Sequence, residues 1–303
     1  MAQVTTALLA DTLERTLRGI ISDEDERRQK SVIPKLYDEE TSTKAWEDYQ
    51  EYAGPAYISE KKQTEAVDLV RMYRGYSTRI WMRTFAAKMQ ITAEAEEDCL
   101  YPEAIRLAQF LREAAFNTRE LDAALTFGRA FNTDYPMGDG EPLCSASHLL
   151  ADGRTWSNVM ATPAMPGYHA LMAARSIVKM FPNHAGVRSP RSIELIAHPV
   201  EQDGAWDAVL NSQLAPYAGN MAEINVVKLK DSGIKHLAIP QLMNTDTDWF
   251  CLTDHPIGIK WFTRTKLSSW TRRDNDPGGM TYGIRERHGR APVDARKILG
   301  VNP

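Results

Sequence analysis

The sequence predicts an α+β fold, and three features carry that reading. Segments patterned as strands and as helices are interspersed along the 303 residues without a regular βαβ alternation. The balance of 43% hydrophobic and 25% charged residues is that of an ordinary globular chain. The clearest amphipathic run, from Thr92 to Phe116, lies between stretches rich in aromatic and β-favouring residues. The length allows one large or two ordinary domains, and no repeat of fixed period runs through it.

At the amino end, Leu9, Leu13, Leu17, Ile20 and Ile21 recur at helical spacing and predict an amphipathic helix over residues 5–21. The charge-dense SDEDERRQKS that follows reads as a solvated connection. Residues 1–45 therefore look like an arm with one helix and little core of its own. Residues 51–88 change character. Gly54 and Pro55 precede a polar tip with Lys61 and Lys62. The chain then returns through MYRGYSTRIWMRTFAAKMQI, where Trp81 and Phe85 stand beside Arg71, Arg74, Arg79 and Arg83. This predicts a long two-stranded excursion with mixed faces. It reads either as a hairpin at a sheet edge or as an arm packed on another chain, since arginine and large aromatics are enriched at interface centres.

Leu100, Ala104, Leu107, Leu111 and Ala115 mark the inward face of the 92–116 helix. Glu94, Glu96, Glu97 and Asp98 crowd its first turns, where the helix dipole favours them; with no histidine partner they are not expected to hold a metal. Thr118 is placed to open a second helix through Phe131, with Leu121, Leu125 and Phe131 inward. Thr162 as N-cap and Pro163 at the first position predict a third helix. RSIELIAHP reads as a buried strand and DGAWDAVLNSQL as a helix capped by Asp203. EINVVKLK and IKHLAIP read as strands joined by a DSG turn, and DWFCLT, IGIKWFT and MTYGIRER as closing strands.

The stretch DGEPLCSASHLLADGRTWSN, residues 139–158, groups Asp139, Ser145, Ser147 and His148, the residue types of a hydrolase. The serines lack the flanking glycines of a nucleophile elbow, and Ser145 and His148 are unusually near in sequence for a triad. A structural loop, with both side chains hydrogen-bonded to backbone, is the expectation, and a Ser/His hydrolase the enzymatic alternative. The seven histidines show no HExxH spacing, and His198, before Pro199, is expected to be buried and hydrogen-bonded. Cys99, Cys144 and Cys251 form no CxxC pair, which predicts neither a zinc ribbon nor a disulfide framework. Gly278 and Gly279 read as a turn rather than a phosphate cradle. The basic runs RTKLSSWTRRD and GIRERHGR sit in a chain of net charge −4, so solvated or subunit-facing strands are expected in place of a nucleic-acid site. Without a secretory leader or a run of roughly 20 apolar residues, the chain is expected to be soluble and cytoplasmic when made. No catalytic set, cofactor or metal is expected.

The pattern D-G-x-P-L-x-S-x-x-H, followed by a glycine turn and S-N, resembles a segment of tailed-bacteriophage major capsid proteins, and most of all the Mu-type major head subunits with the Hong Kong-97 capsid fold. Cys144 stands where that group usually has an aromatic residue. Other stretches resemble the family in the same order. GYSTRIWMRTFAAKMQITAEAEED is similar to the return strand of the extended E-loop leading into the spine helix. SIELIAHPVEQDGAWDAVLNSQ is similar to an axial-domain strand and helix. LAIPQLMNTDTDWFCLTD and PGGMTYGIRERHGRAPVDARKILG are similar to the passage back to the peripheral domain and its closing strands. The resemblance covers about residues 45–300.

It implies an amino-terminal arm (1–50), an E-loop excursion (51–90), a peripheral domain with the spine helix (91–160), an axial domain (161–245) and closing peripheral strands (246–303). It also implies a non-enzymatic shell subunit that self-assembles through hexamers and pentamers around double-stranded DNA, which it touches only weakly and non-specifically. The implied partners are further copies of the chain, a portal protein, a decoration protein and a separate scaffolding protein, since the arm is shorter than the scaffolding segment of some relatives. No membrane is involved; the location is the virion capsid, assembled in the host cytoplasm. Lys61, Lys62, Arg71, Arg74, Arg79, Trp81, Arg83 and Phe85 become the candidate intersubunit contacts. Some relatives cross-link a lysine to an asparagine, but nothing commits Lys61 or Lys62 to that chemistry. An encapsulin-like cellular shell, sharing the fold, is the structural alternative.

Overall fold

A computed structural model describes residues 31–63, 66, 67, 69, 72–92, 101–150, 152–214, 224–230, 233–242, 247–273 and 280–303, with Arg15 and Gly19. Apart from Arg15 and Gly19, both helical, the helix expected over 5–21 lies outside the described residues, as do the Glu94–Asp98 carboxylates, Arg71 and the Gly278–Gly279 turn.

Two mixed sheets organise the rest. The first has the order β1 (Asp38–Thr41), β10 (Ile259–Arg273), β11 (Met280–Pro292), β4 (Arg83–Ile91), with β1 parallel to β10 and the other pairs antiparallel. The second has the order β12 (Ile298–Val301), β9 (Trp249–Thr253), β7 (Ile193–His198), β8 (Lys235–Ala238), with only β7 and β8 parallel. Two further pairs are β2 (Trp46–Ala53) with β3 (Tyr73–Trp81), and β5 (His148–Leu149) with β6 (Thr155–Trp156). The helices are α1 (Ile33–Leu36), α2 (Tyr101–Gly128), α3 (Tyr168–Val178), α4 (Asp203–Asn211) and α5 (Val226–Lys230). This mixture of pairings is the expected α+β class.

The main core lies on the second sheet. All five residues of β9 are buried, which explains the unbroken apolar run WFCLT: covered on both faces, it needs no alternation. Trp249 meets Trp206 of α4 edge-on at 4.9 Å between ring centroids, and Phe250 packs on Phe127 and Phe131. The first sheet carries smaller clusters, in which Ala108 packs with Tyr282 and Ala115 with Ile284.

Several local expectations are corrected. The helices expected on either side of Thr118 are one helix, α2. The Thr118 hydroxyl donates to the Ala114 carbonyl at 2.7 Å, so it stays inside the helix instead of capping a new one. The buried face of α2 is also rotated from the expected one. Ala115 is buried as expected, but Ala108, Ala123 and Ala124 are buried while Leu107 and Leu121 are exposed, because alanines let the helix axis approach its neighbours closely. α3 starts at Tyr168 rather than Thr162: Pro166 disfavours a helical Met165, so the helix begins beyond it. Asp203 is the first residue of α4 and not its cap. VVKLK is the short helix α5 where a strand was expected, because the Asn225 side chain accepts from the Val227 and Lys228 amides and caps it.

The end of the amino-terminal arm is also more than a solvated connection. Val32, Ile33, Leu36 and Tyr37 are buried in the main core. Glu120 of α2 accepts from the Ser31 hydroxyl at 2.5 Å and the Val32 amide at 3.0 Å. The Tyr37 hydroxyl donates to the Ala123 carbonyl at 2.6 Å, and burial pushes its pKa up to about 12. Four apolar anchors and a buried carboxylate thus tie residues 31–37 to α2.

Asp248, just before β9, is buried, and its Oδ2 has no hydrogen-bond partner among the described residues. Burial raises its pKa from 3.8 to about 6. The folded value lies above the unfolded one, so protonation favours the native state and this group adds stability as pH falls from about 6 towards 4. At neutral pH the ionised carboxylate is a penalty. Asp248→Asn is expected to raise unfolding free energy at pH 7 by about 1–3 kcal/mol, with the difference closing near pH 4. Urea unfolding at the two pH values measures this, and equal midpoints at pH 7 would contradict it.

Candidate intersubunit surface

The excursion is rooted firmly, and its described outer residues are open to solvent. At its root, Ile80, Met82 and Phe262 form a buried cluster with Tyr49, Ala291 and Val293 packed against it. Gly138 lies against β3, where an added Cβ would stand 2.9 Å from the Ser77 carbonyl, so only glycine lets the 137–141 turn approach so closely. Glu51 of β2 reaches the His184 imidazole and lies 3.6 Å from Arg296. Arg296 in turn holds Asp294 at 3.1 Å, and Asp294 accepts from His255 at 2.9 Å. Asp294 is pushed up by burial but brought well below the ordinary carboxylate range by His255 and Arg296. These charges clamp the hairpin base to the end of the chain.

Beyond the root, Tyr52, Tyr57, Ile58, Val67, Leu69 and Met72 are all strongly exposed, the least of them 63% accessible. Single exposed apolar residues are ordinary, but six in one excursion are more than a solvated surface segment needs. Burying Ile58, Val67, Leu69 and Met72 alone would contribute roughly 6–12 kcal/mol gross.

Nearer the root, cross-strand pairing assembles a second patch. Trp46 is in register with Trp81, and Asp48 with Arg79. The two indoles lie 5.3 Å apart, and the Arg79 guanidinium sits 5.3 Å from one and 5.7 Å from the other while donating to both Asp48 oxygens at 2.7 and 2.9 Å. Trp81 remains 57% exposed. An ion-paired arginine packed beside two open indoles has the composition of an interface hot spot.

The other sequence-chosen residues are distributed differently. Lys61 and Lys62 are exposed towards the far end of the excursion. Arg74 donates to Gln50 Oε1 at 2.6 Å, bracing the two strands. Arg83 is engaged within the chain, 2.5 Å from Asp122 of α2, and Phe85 stacks on His288 at 4.4 Å. Asp122 also faces His288 at 3.3 Å and Arg290 at 3.2 Å; these charges outweigh its burial and hold its pKa far below the ordinary value. Trp46 and Asp48 were missed because their partners stand more than thirty positions away (81 − 46 = 35; 79 − 48 = 31), and only the pairing register joins them.

The 139–158 loop is a structural knot. His148 Nδ1 lies 2.7 Å from Asp139, and its Nε2 faces Asn158 Oδ1 at 3.2 Å rather than a serine. The Ser145 hydroxyl turns instead to Glu141 at 2.8 Å, and Ser147 lies beside it at 3.2 Å. The expectation that both side chains bond backbone holds in part for Ser145, whose hydroxyl also accepts from the Ser147 amide at 3.2 Å, and is corrected for His148, whose two partners are side chains. The centre of the knot is Asn158, fully buried. It accepts from the Ser145 amide at 2.8 Å and donates towards the carbonyls of Leu143, Ala295 and Ile298 at 2.7, 3.2 and 3.3 Å.

The two mixed sheets, the long helix α2 and the projecting strand pair have the Hong Kong-97-type arrangement of phage capsid proteins. The capsid of the Myoviridae phage XM1 matches 91% of this chain and 90% of its own, at a TM-score of 0.53 and 10% identity. The capsid of cyanophage P-SCSP1u matches over 89% and 87%, at 0.52 and 12% identity, and a chain of Microbacterium phage Oxtober96 over 90% and 91%, at 0.52 and 8% identity. At such identities the likeness is one of fold. No family model and no curated protein matches the sequence. Among the described residues no helix is long and apolar enough to cross a membrane.

Proposed function

We propose that this chain is the major capsid subunit of a tailed bacteriophage, a non-enzymatic protein assembling through hexamers and pentamers into an icosahedral shell around double-stranded DNA. The observation that carries the proposal is the excursion of β2 and β3, whose six exposed apolar side chains and open Trp46–Trp81 pair, with Arg79 beside it, call for a neighbouring copy. A hairpin of this length is poorly stable alone in water, and its distal apolar surface is best used by lying across an adjacent subunit. Support also comes from the shared capsid fold and from the order of sequence motifs, which resembles that of Mu-type head subunits. In this reading residues 1–50 are the arm, 51–90 the E-loop, 91–160 and 246–303 the peripheral domain and 161–245 the axial domain. Lys61, Lys62, Arg74, Arg79 and Trp81 make contacts between copies, and many such weak contacts add up under closed symmetry. A separate scaffolding protein and a portal protein are its assembly partners, and the virion capsid is built in the host cytoplasm.

Electron microscopy of the chain expressed alone and with its neighbouring genes tests the proposal. Shells, or rings of five or six subunits, are expected. A monomer under every condition, scaffold included, would refute it, and a shell whose gene sits beside a cargo enzyme instead of terminase and portal genes would redirect it to an encapsulin-like compartment.

A further inference from the structure

A second group of residues, unrelated to the excursion, converges where β7 and β8 run parallel. His236 follows β8's first residue and is in register with Ile196; His198 lies two positions beyond Ile196, so both imidazoles share one face of the sheet. Their rings are stacked, with centroids 5.4 Å apart. Asp203 opens α4 above them, and Asp207 follows one turn later on the same helix.

The hydrogen bonds decide which nitrogens are available. His198 Nδ1 donates to the Pro199 carbonyl at 2.8 Å, which leaves the lone pair on Nε2. His236 Nε2 lies 3.2 Å from the Asp207 carboxylate, and with its proton there the lone pair is on Nδ1. These two free nitrogens are 3.2 Å apart, and Asp203 Oδ1 lies 3.4 Å from one and 3.9 Å from the other. Two nitrogen lone pairs at that distance repel unless a proton or a metal ion lies between them. Ligand atoms about 2.0–2.1 Å from a tetrahedral zinc stand roughly 3.3–3.4 Å from each other, close to the triangle seen here. Each imidazole also has its outer nitrogen held by a carbonyl or a carboxylate, the arrangement that orients metal-bound histidines.

We propose that His198, His236 and Asp203 bind one divalent transition-metal ion of the zinc class, oriented by Asp207 and the Pro199 carbonyl. The ion joins β7, β8 and the start of α4. His198 is fully buried while His236 and Asp203 are partly open, so a fourth ligand enters from the solvent side. The other histidine cluster, His184, His255 and Asp294, differs in that the Arg296 guanidinium already occupies the carboxylate at 3.1 Å, so it serves as the internal control.

The test is calorimetric titration of tag-free, chelator-treated full-length protein with Zn2+, with circular dichroism confirming the fold. One Zn2+ per chain is expected. Affinity should fall at least tenfold in His236→Gln and in Asp203→Asn, both at partly open positions, and stay unchanged in His255→Gln. Co2+ should give the visible absorption of a four-coordinate site in the unmodified protein and lose it in His236→Gln. Absence of saturable Zn2+ binding, binding indifferent to both substitutions, or equal binding of Mg2+ would overturn the proposal. None of these readings depends on whether the chain assembles.

Discussion

Trp81→Ala is expected to abolish shell assembly while leaving a folded subunit. Trp81 is more than half exposed, and its ring contacts within the chain are with Trp46 and Arg79. Losing so exposed a ring should cost the subunit no more than about 1 kcal/mol. At an interface centre the same truncation typically costs 2–4 kcal/mol, or roughly 30- to 1000-fold per contact. A shell repeats the contact at every subunit, so the concentration needed for assembly should rise beyond the working range. Light scattering beside a thermal melt separates the two effects. Unchanged melting with lost assembly is expected; normal assembly would show that this stack does not face a neighbour. Arg79→Ala should act in the same direction, since it also releases Asp48 and leaves the indoles without their cation.

Asn158→Ala should produce the largest loss of subunit stability, about 3–5 kcal/mol. The side chain joins the 139–148 loop to the last strand. Without it, the Leu143, Ala295 and Ile298 carbonyls and the Ser145 amide lose a partner in a region closed to water. Each unsatisfied buried group costs roughly 1–3 kcal/mol before relaxation. Asn158→Asp should not rescue, because it keeps the acceptor but turns an anion towards three carbonyls. Denaturant unfolding measures both variants, and a loss below about 1 kcal/mol for the alanine would mean that the loop repacks freely.

Where a segment's burial follows from its own pattern, the chain could be read directly. DWFCLT, RSIELIAHP and MTYGIRER are strands in the structure as in the sequence, because continuous or alternating apolar side chains leave little choice of face. The errors arose where neighbours decided. Thr118 carries a capping signal, yet its hydroxyl bonds back to Ala114 because α2 has a sheet to run along. Leu107 looks inward on any helical wheel, but close packing selects the alanine face. Val226–Lys230 has strand-forming residues and becomes helical because Asn225 caps it, a competition that composition does not show.

The candidate sites divide the same way. Arg79 and Trp81 are visible in sequence as an odd mixture of charge and aromatics, and the 139–158 loop as a cluster of hydrolase residue types. Local order alone determined the α+β class and the capsid-like succession of motifs, while the expected return strand of the excursion divides at Met82, its second half (Arg83–Ile91) joining the first sheet. Tertiary structure alone decided that Trp46 joins Trp81, that Asn158 rather than Ser145 receives His148, and that His198 meets His236 across two strands. Each of these pairs is set by strand register or by a shared buried cavity, and both depend on long-range contacts that no local spacing encodes.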